Sequence, residues 1–248
     1  SENTLSNFYF PFSIAPNFLI NNNDYCLPMA IEESSVVAAA CNSAKFWYDR
    51  GGFVAKTVSL EKIGQIHFLF KGDFQKINSF VNKNKTKLID STSKISLKMK
   101  ERGGGINSIT LIDKSSEYNN YYQLSVSFNT IDSMGANYIN SCLEIITKTM
   151  IEEIENSNDL TKQEKEINII MSILSNSTPN CIVEAKAECK IDEIGNINGL
   201  NGNEFIEKYF QAVEISKIDL GRAVTNNKGI MNGIDSVLIA TGNDFRAV

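Results

Sequence analysis

Ile63-Gly64-Gln65-Ile66-His67-Phe68-Leu69-Phe70 is the run on which the fold turns. It is strand-like, and Phe74-Gln75-Lys76-Ile77-Asn78-Ser79-Phe80-Val81 follows it with apolar residues three and four apart, the spacing of a helix face. Gly103-Gly104-Gly105 breaks the chain before a second strand, Ile106 to Ile112. Tyr121 to Phe128 then alternates apolar and polar residues, as a half-buried strand does. From about Gly135 to Glu155 the residues Ile139, Cys142, Leu143, Ile146, Met150 and Ile154 form one helical stripe, and Ile167 to Leu174 closes the series as a fourth strand. Strand, helix, strand, strand, helix, strand is the ferredoxin-like, split βαβ order.

Residues 1–61 and 176–248 flank this unit and are expected to belong together, with junctions near Leu60 and Asn176. The expected class is therefore α+β: a large α/β domain from residues 1–61 and 176–248, with a small ferredoxin-like domain, residues 62–175, inserted into it. Within the first flank, Glu32-Glu33-Ser34-Ser35 precedes a helical run, Val36 to Tyr48, that Gly51-Gly52 ends; acids and serines at a helix start suit capping and the macrodipole. Asparagine repeats at Asn21-Asn22-Asn23, Asn119-Asn120 and Asn226-Asn227 read as tolerant loops.

Two segments near the C-terminus carry candidate chemistry. Lys228 in Asn227-Lys228-Gly229-Ile230-Met231-Asn232-Gly233 is expected in a glycine-punctuated turn. Ser236 to Ala240 then reads as a short buried segment leading to a second turn at Thr241-Gly242-Asn243-Asp244. An ammonium and a carboxylate brought together there suit oxyanion stabilisation, with the acid holding the lysine charged; a surface turn with solvated Lys and Asp is the alternative. Asp132-Ser133-Met134-Gly135, at the end of the third strand, places glycine and a helix N-terminus where a pyrophosphate could approach, while an N-cap aspartate would explain the same residues.

These segments, taken in order, resemble hydroxymethylglutaryl-CoA reductases of the bacterial class. Asp24 to Ala40 is similar to the family's glutamate segment, Asp132 to Asn137 to its dinucleotide motif, Ile173-Leu174-Ser175-Asn176 to the stretch returning to the main domain, and Asn227 to Ala247 to its lysine and aspartate signature. The resemblance covers nearly the whole chain. It implies reduction of HMG-CoA to mevalonate and coenzyme A with two NADH or NADPH, or the reverse degradative reaction.

By the same resemblance Glu33, Lys228 and Asp244 are catalytic, and Ser35, Arg222 and Asn232 contact substrate. Asp132, Met134, Gly135, Ala136, Asn137 and Asn176 then bind the dinucleotide, and the inserted domain is the one that holds it. Glu33 would donate a proton to the aldehyde-level intermediate, which calls for burial beside another carboxylate. Around Lys94 to Arg102, where an acid would contact the ribose, the chain offers Ser96, several basic residues and only Glu101, which leans toward tolerance of the 2′-phosphate of NADPH. Asn226 stands where family members carry histidine, and Ser34 where bacterial relatives carry proline. The family's thiolate-protonating histidine is expected beyond Val248. A diverged, non-catalytic binding homologue is therefore the alternative reading. His67, the one histidine, is expected to be structural or exposed.

Family active sites form between subunits, so the resemblance implies a homodimer or higher homo-oligomer. Composition agrees with an ordinary globular protein: 248 residues, 42% hydrophobic and 21% charged. A net charge of −5 with dispersed lysines argues against a nucleic-acid partner. No apolar run reaches the roughly 18 residues of a membrane span, and no secretory signal opens the chain, so no membrane partner and a cytoplasmic location are expected. Cysteines 26, 41, 142, 181 and 189 show no metal spacing, and with one histidine no metal site is expected.

Overall fold

The structure is a computed structural model describing residues 2–248. It divides into two compact units, one from residues 2–56 with Glu184–Val248 and one from Thr57–Val183. The inserted unit thus begins before Leu60 and ends after Asn176.

The strand β3 (Val54–Leu69) runs into the inserted unit and is followed there by α2 (Phe74–Ser91), α3 (Ser93–Glu101), β4 (Gly105–Asp113), β5 (Tyr121–Asn129), α4 (Ala136–Asn156) and β6 (Asn168–Leu174). The sheet order is β4-β5-β3-β6, antiparallel at every pairing, with a further strand β7 (Cys181–Lys186) on β3. This is the split βαβ arrangement expected from the periodicity: β5 lies between β3 and β4, and β6 pairs with β3 from Gly64↔Leu174 to Leu69↔Asn168. The helix α3 was not anticipated. It occupies the Lys94 to Arg102 segment.

One face of the sheet is covered by α2 and α4. Ile66, Phe68, Leu124, Val126 and Phe128 meet Ile139, Leu143, Ile146 and Met150 of the α4 stripe, and all are essentially buried. Each such side chain contributes about 1.5–3 kcal/mol relative to exposure. Gly64 sets how closely α4 can approach: a Cβ there would stand 2.8 Å from Leu143 Cδ1 and 2.9 Å from Ile139 Cγ2. Asp73 caps α2, accepting from the Lys76 N–H at 2.9 Å. On the other face His67 Nδ1 lies 2.6 Å from the Tyr121 hydroxyl, and burial pushes the ring below the usual histidine range. His67 is a structural residue of this sheet.

The other unit opens with the hairpin β1 (Phe12–Ile20) and β2 (Asn23–Ala30). Its turn residues Asn21 and Asn22 have φ of 50° and 63°, the left-handed pair a tight hairpin turn requires and asparagine tolerates. Asn21 also exchanges two 2.9 Å hydrogen bonds with the Ala55 backbone. This asparagine run therefore has a definite structural task. The helix α1 (Ser34–Tyr48) packs on β1, and α7 (Leu220–Ala240) packs on β2, on α1 and on α6 (Gly202–Ile218); a short α5 (Ile191–Ile194) adjoins α6. Tyr209, Phe210, Ile218, Leu220, Val224 and Ile230 of α6 and α7 are exposed.

Candidate functional site

The first cluster of expected site residues lies in the unit built on β1, β2, α1 and α7. Lys228 does not sit in a turn: α7 is continuous from Leu220 to Ala240, and Lys228, Gly229 and Gly233 all lie inside it. Glycine permits unusual backbone angles without requiring them, and neither Gly229 nor Gly233 takes a positive φ. Ser236 to Ala240 is likewise the end of this helix. What anchors the helix is at its start, where Asp219 Oδ1 accepts from the Arg222 N–H at 3.0 Å, and along its length, where it packs on β2 and α1.

Helical spacing puts Lys228 and Asn232 on one face. The Asn232 amide is satisfied when Oδ1 accepts from Lys228 Nζ at 3.2 Å and its NH₂ donates to the Lys228 carbonyl at 3.3 Å. Asn232 thus directly orients the ammonium. Asp244 does not pair with Lys228 in this structure, contrary to expectation. Its carboxylate is held by Arg246, from Nε at 3.0 Å and from the second guanidinium nitrogen at 3.1 Å, and the hydrogen bonds from Arg246 hold its carboxyl below the usual range. The Arg246 guanidinium is two residues away and matches a carboxylate bidentately.

Glu33 is the N-cap residue of α1 and accepts from Ser35 Oγ at 2.6 Å. It is exposed, so the burial expected to favour its protonated form is not seen. Arg222, also exposed, donates to Thr225 Oγ1 at 3.2 Å. Asn226 donates to Ser216 Oγ at 2.7 Å and so ties α7 to α6.

The second cluster lies in the inserted unit, at the loop from β5 into α4. Asp132 is not an N-cap: α4 starts at Ala136 with Gly135 before it, and Asp132 instead forms an ion pair with Arg102. Gly135 has φ 73°, and a Cβ there would fall 2.5 Å from Thr130 Cγ2, so only glycine fits. Among the described residues the backbone N–H groups of Met134, Gly135, Ala136 and Asn137 have no protein acceptor. Four free donors at the start of a 21-residue helix suit a phosphate. Asn176 is exposed just beyond β6.

Ser96 is not available to a ribose. It is buried on α3, 2.9 Å from the Tyr138 hydroxyl, whose pKa burial pushes up to about 12. Missed from the sequence was Lys62 of β3, which reaches the same loop from behind: its ammonium donates to Thr130 Oγ1 at 3.0 Å and to the Ser133 and Met134 carbonyls at 2.6 and 3.2 Å. No local motif marks it.

An inserted split βαβ unit whose α4 starts with free backbone donors, and a second unit with a helical Lys-Asn pair, define a two-unit α+β chain. The family model for hydroxymethylglutaryl-coenzyme A reductase matches residues 1–248, and the chain belongs to that family. It is 34% identical over 247 residues to the 3-hydroxy-3-methylglutaryl-coenzyme A reductase of Archaeoglobus fulgidus, spanning 100% of this chain but only 53% of that protein. Among solved structures it is similar to 3-hydroxy-3-methylglutaryl-coenzyme A reductase from Streptococcus pneumoniae, with TM-score 0.86, 30% identity and coverage of 100% of this chain and 56% of the other. A class II reductase from the same organism, bound to NADPH in open conformations, matches with TM-score 0.85 and 30% identity, covering 100% of this chain and 64% of that one. The chain thus spans about half the length of the curated relative.

Proposed function

We propose that the protein is an NAD(P)-dependent oxidoreductase that reduces HMG-CoA to mevalonate and coenzyme A, or runs the reverse reaction. The family match over all 248 residues carries this reading. The residues of the β5–α4 loop fit a dinucleotide: four free N–H donors support binding of its phosphates there, and Gly135, whose Cβ would strike Thr130, lets the loop take this shape. When bound, the reduced dinucleotide supplies hydride to the substrate carbonyl.

As that carbonyl accepts hydride its oxygen becomes anionic, and Lys228, oriented by Asn232, is the group assigned to meet the charge. Glu33 is assigned to proton transfer at the aldehyde level, held by Ser35. Arg222 and Ser35 are assigned to the hydroxymethylglutaryl part, a guanidinium being suited to its carboxylate. Asp244 is assigned to hold Lys228 cationic, which requires it to exchange Arg246 for Lys228 when the site assembles. Residues 1–61 and 176–248 would bind substrate, and 62–175 the dinucleotide, with Asp132 inside that segment and Asn176 just beyond its end also contacting it. Exposed apolar residues on α6 and α7 support a homodimer or higher assembly. Five free cysteines, and no helix long and apolar enough to cross a membrane among the described residues, support a cytoplasmic location.

Lys228→Ala in the full-length protein tests the assignment by following NADPH or NADH absorbance with HMG-CoA. Turnover should fall about 10²- to 10³-fold while substrate still binds, as for loss of a preorganised oxyanion partner. A variant retaining more than about a tenth of wild-type turnover would remove Lys228 from that role. Binding of both ligands without turnover by the wild type would instead favour a non-catalytic homologue.

A further inference from the structure

Lys62 lies in β3 opposite Phe128 of β5, one residue pair before the loop that enters α4. Its ammonium has three N–H donors, and three acceptors take them: Thr130 Oγ1 and the carbonyls of Ser133 and Met134. No donor is left for a ligand. The loop it holds is otherwise costly to form. Thr130 is fully buried and donates to the Ser133 carbonyl at 2.7 Å, Ser133 Oγ donates to the Thr130 carbonyl at 2.7 Å, and Ile131 stands at φ 56°, a region β-branched residues rarely enter. Such a backbone persists only where its surroundings over-determine it.

The consequence follows from peptide geometry. The chain has no cis peptide bonds, and in a trans peptide unit the C=O and N–H point in opposite directions. Because the Ser133 and Met134 carbonyls point at Lys62, the N–H groups of the next residues, Met134 and Gly135, point away from it. Those are two of the four donors without a partner.

We infer that Lys62 is a positioning residue for dinucleotide binding: by holding the Ser133 and Met134 carbonyls from behind, it aims the Met134 and Gly135 amides at an anionic phosphate of the dinucleotide. The inference rests on the reading that the dinucleotide binds at Asp132 to Asn137. Lys62 acts through these amides and does not touch the ligand. It needs both its charge and its multiple donors, since a neutral side chain of the same length cannot hold two carbonyls.

The test compares Lys62→Met and Lys62→Arg with wild type in the full-length protein. Amide hydrogen exchange of residues 130–136 is measured without ligand, with the core of β5 as internal control, and NADPH and NADH affinities are measured by fluorescence titration. Lys62→Met should speed exchange in the loop but not at Leu124 and Val126, and should weaken dinucleotide binding about 10- to 100-fold, the range for losing hydrogen bonds to a charged group. KM for HMG-CoA should stay unchanged. Lys62→Arg should recover part of both losses, which a residue needed only for bulk would not require. Loop exchange and affinity both within about twofold of wild type would overturn the inference, as would faster exchange with unchanged affinity. If β5 itself exchanges faster in Lys62→Met, the Arg variant decides: full loss there too marks Lys62 as a folding residue and ends the proposal. Failure of the wild type to bind either nucleotide would sink the underlying functional reading, and this inference with it, while the exchange data would still report whether the loop is clamped.

Discussion

Replacing Gly135 by alanine should disarm the candidate dinucleotide loop while leaving the sheet beneath it folded. Two penalties combine. At φ 73° an L-residue pays about 1–2 kcal/mol for the left-handed conformation. The new Cβ would also stand 2.5 Å from Thr130 Cγ2 and 2.8 Å from Thr130 Cβ, and Thr130 cannot rotate away without giving up its bonds to Ser133 and Lys62. Overpacking of that kind costs about 1–3 kcal/mol, so the native loop is disfavoured by about 2–5 kcal/mol. The loop escapes by opening, so the binding-competent fraction falls, and even the lower end of that range weakens dinucleotide affinity about 30-fold. NADPH titration followed by nucleotide fluorescence reads this directly, and far-UV circular dichroism should be unchanged. Gly103→Ala is the matched control, since Gly103 has φ 86° but open space around its would-be Cβ. Affinity of Gly135→Ala within about threefold of wild type would refute the reasoning, because steric and backbone costs together could not be so small.

Gly64→Ala should cost about 1–3 kcal/mol in urea unfolding, because its Cβ would press on Leu143 and Ile139 of α4; an unchanged midpoint would mean that α4 is not seated on β3 as described. Acid stability should depend on Glu164, whose carboxyl is held at about 2 by hydrogen bonds from Lys76 and from the Thr161 N–H and hydroxyl. A depressed carboxyl pKa stabilises the fold above the ordinary value of 4.5, and that contribution is lost as pH falls from there through about 2. Glu164→Gln should therefore be less stable than wild type at neutral pH, with the difference closing in acid. A gap that stays constant across that window would show that the ion pair is not its cause.

Much of the fold was legible in the sequence because it is written in short-range periodicity. Period-two alternation in Tyr121 to Phe128 and the three-and-four spacing from Ile139 to Ile154 are properties of neighbouring residues, and the split βαβ order follows once they are strung together. The loop at Asp132 to Asn137 stands out through the family resemblance and not through periodicity; its residues alone suit an N-cap aspartate, which the structure does not show. Lys228 lies in a helix because Gly229 and Gly233 permit a turn without compelling one, and packing of α7 on β2 and α1 decides for the helix. Ser96 looked like a ligand until Tyr138, from another helix, covered it. Lys62 was invisible because its partners lie 68 to 72 positions along the chain and meet it only through the antiparallel register of β3 on β5. Local preference is encoded in adjacent side chains; which distant carbonyls an ammonium can reach depends on sheet register, and that exists only when the whole unit is folded.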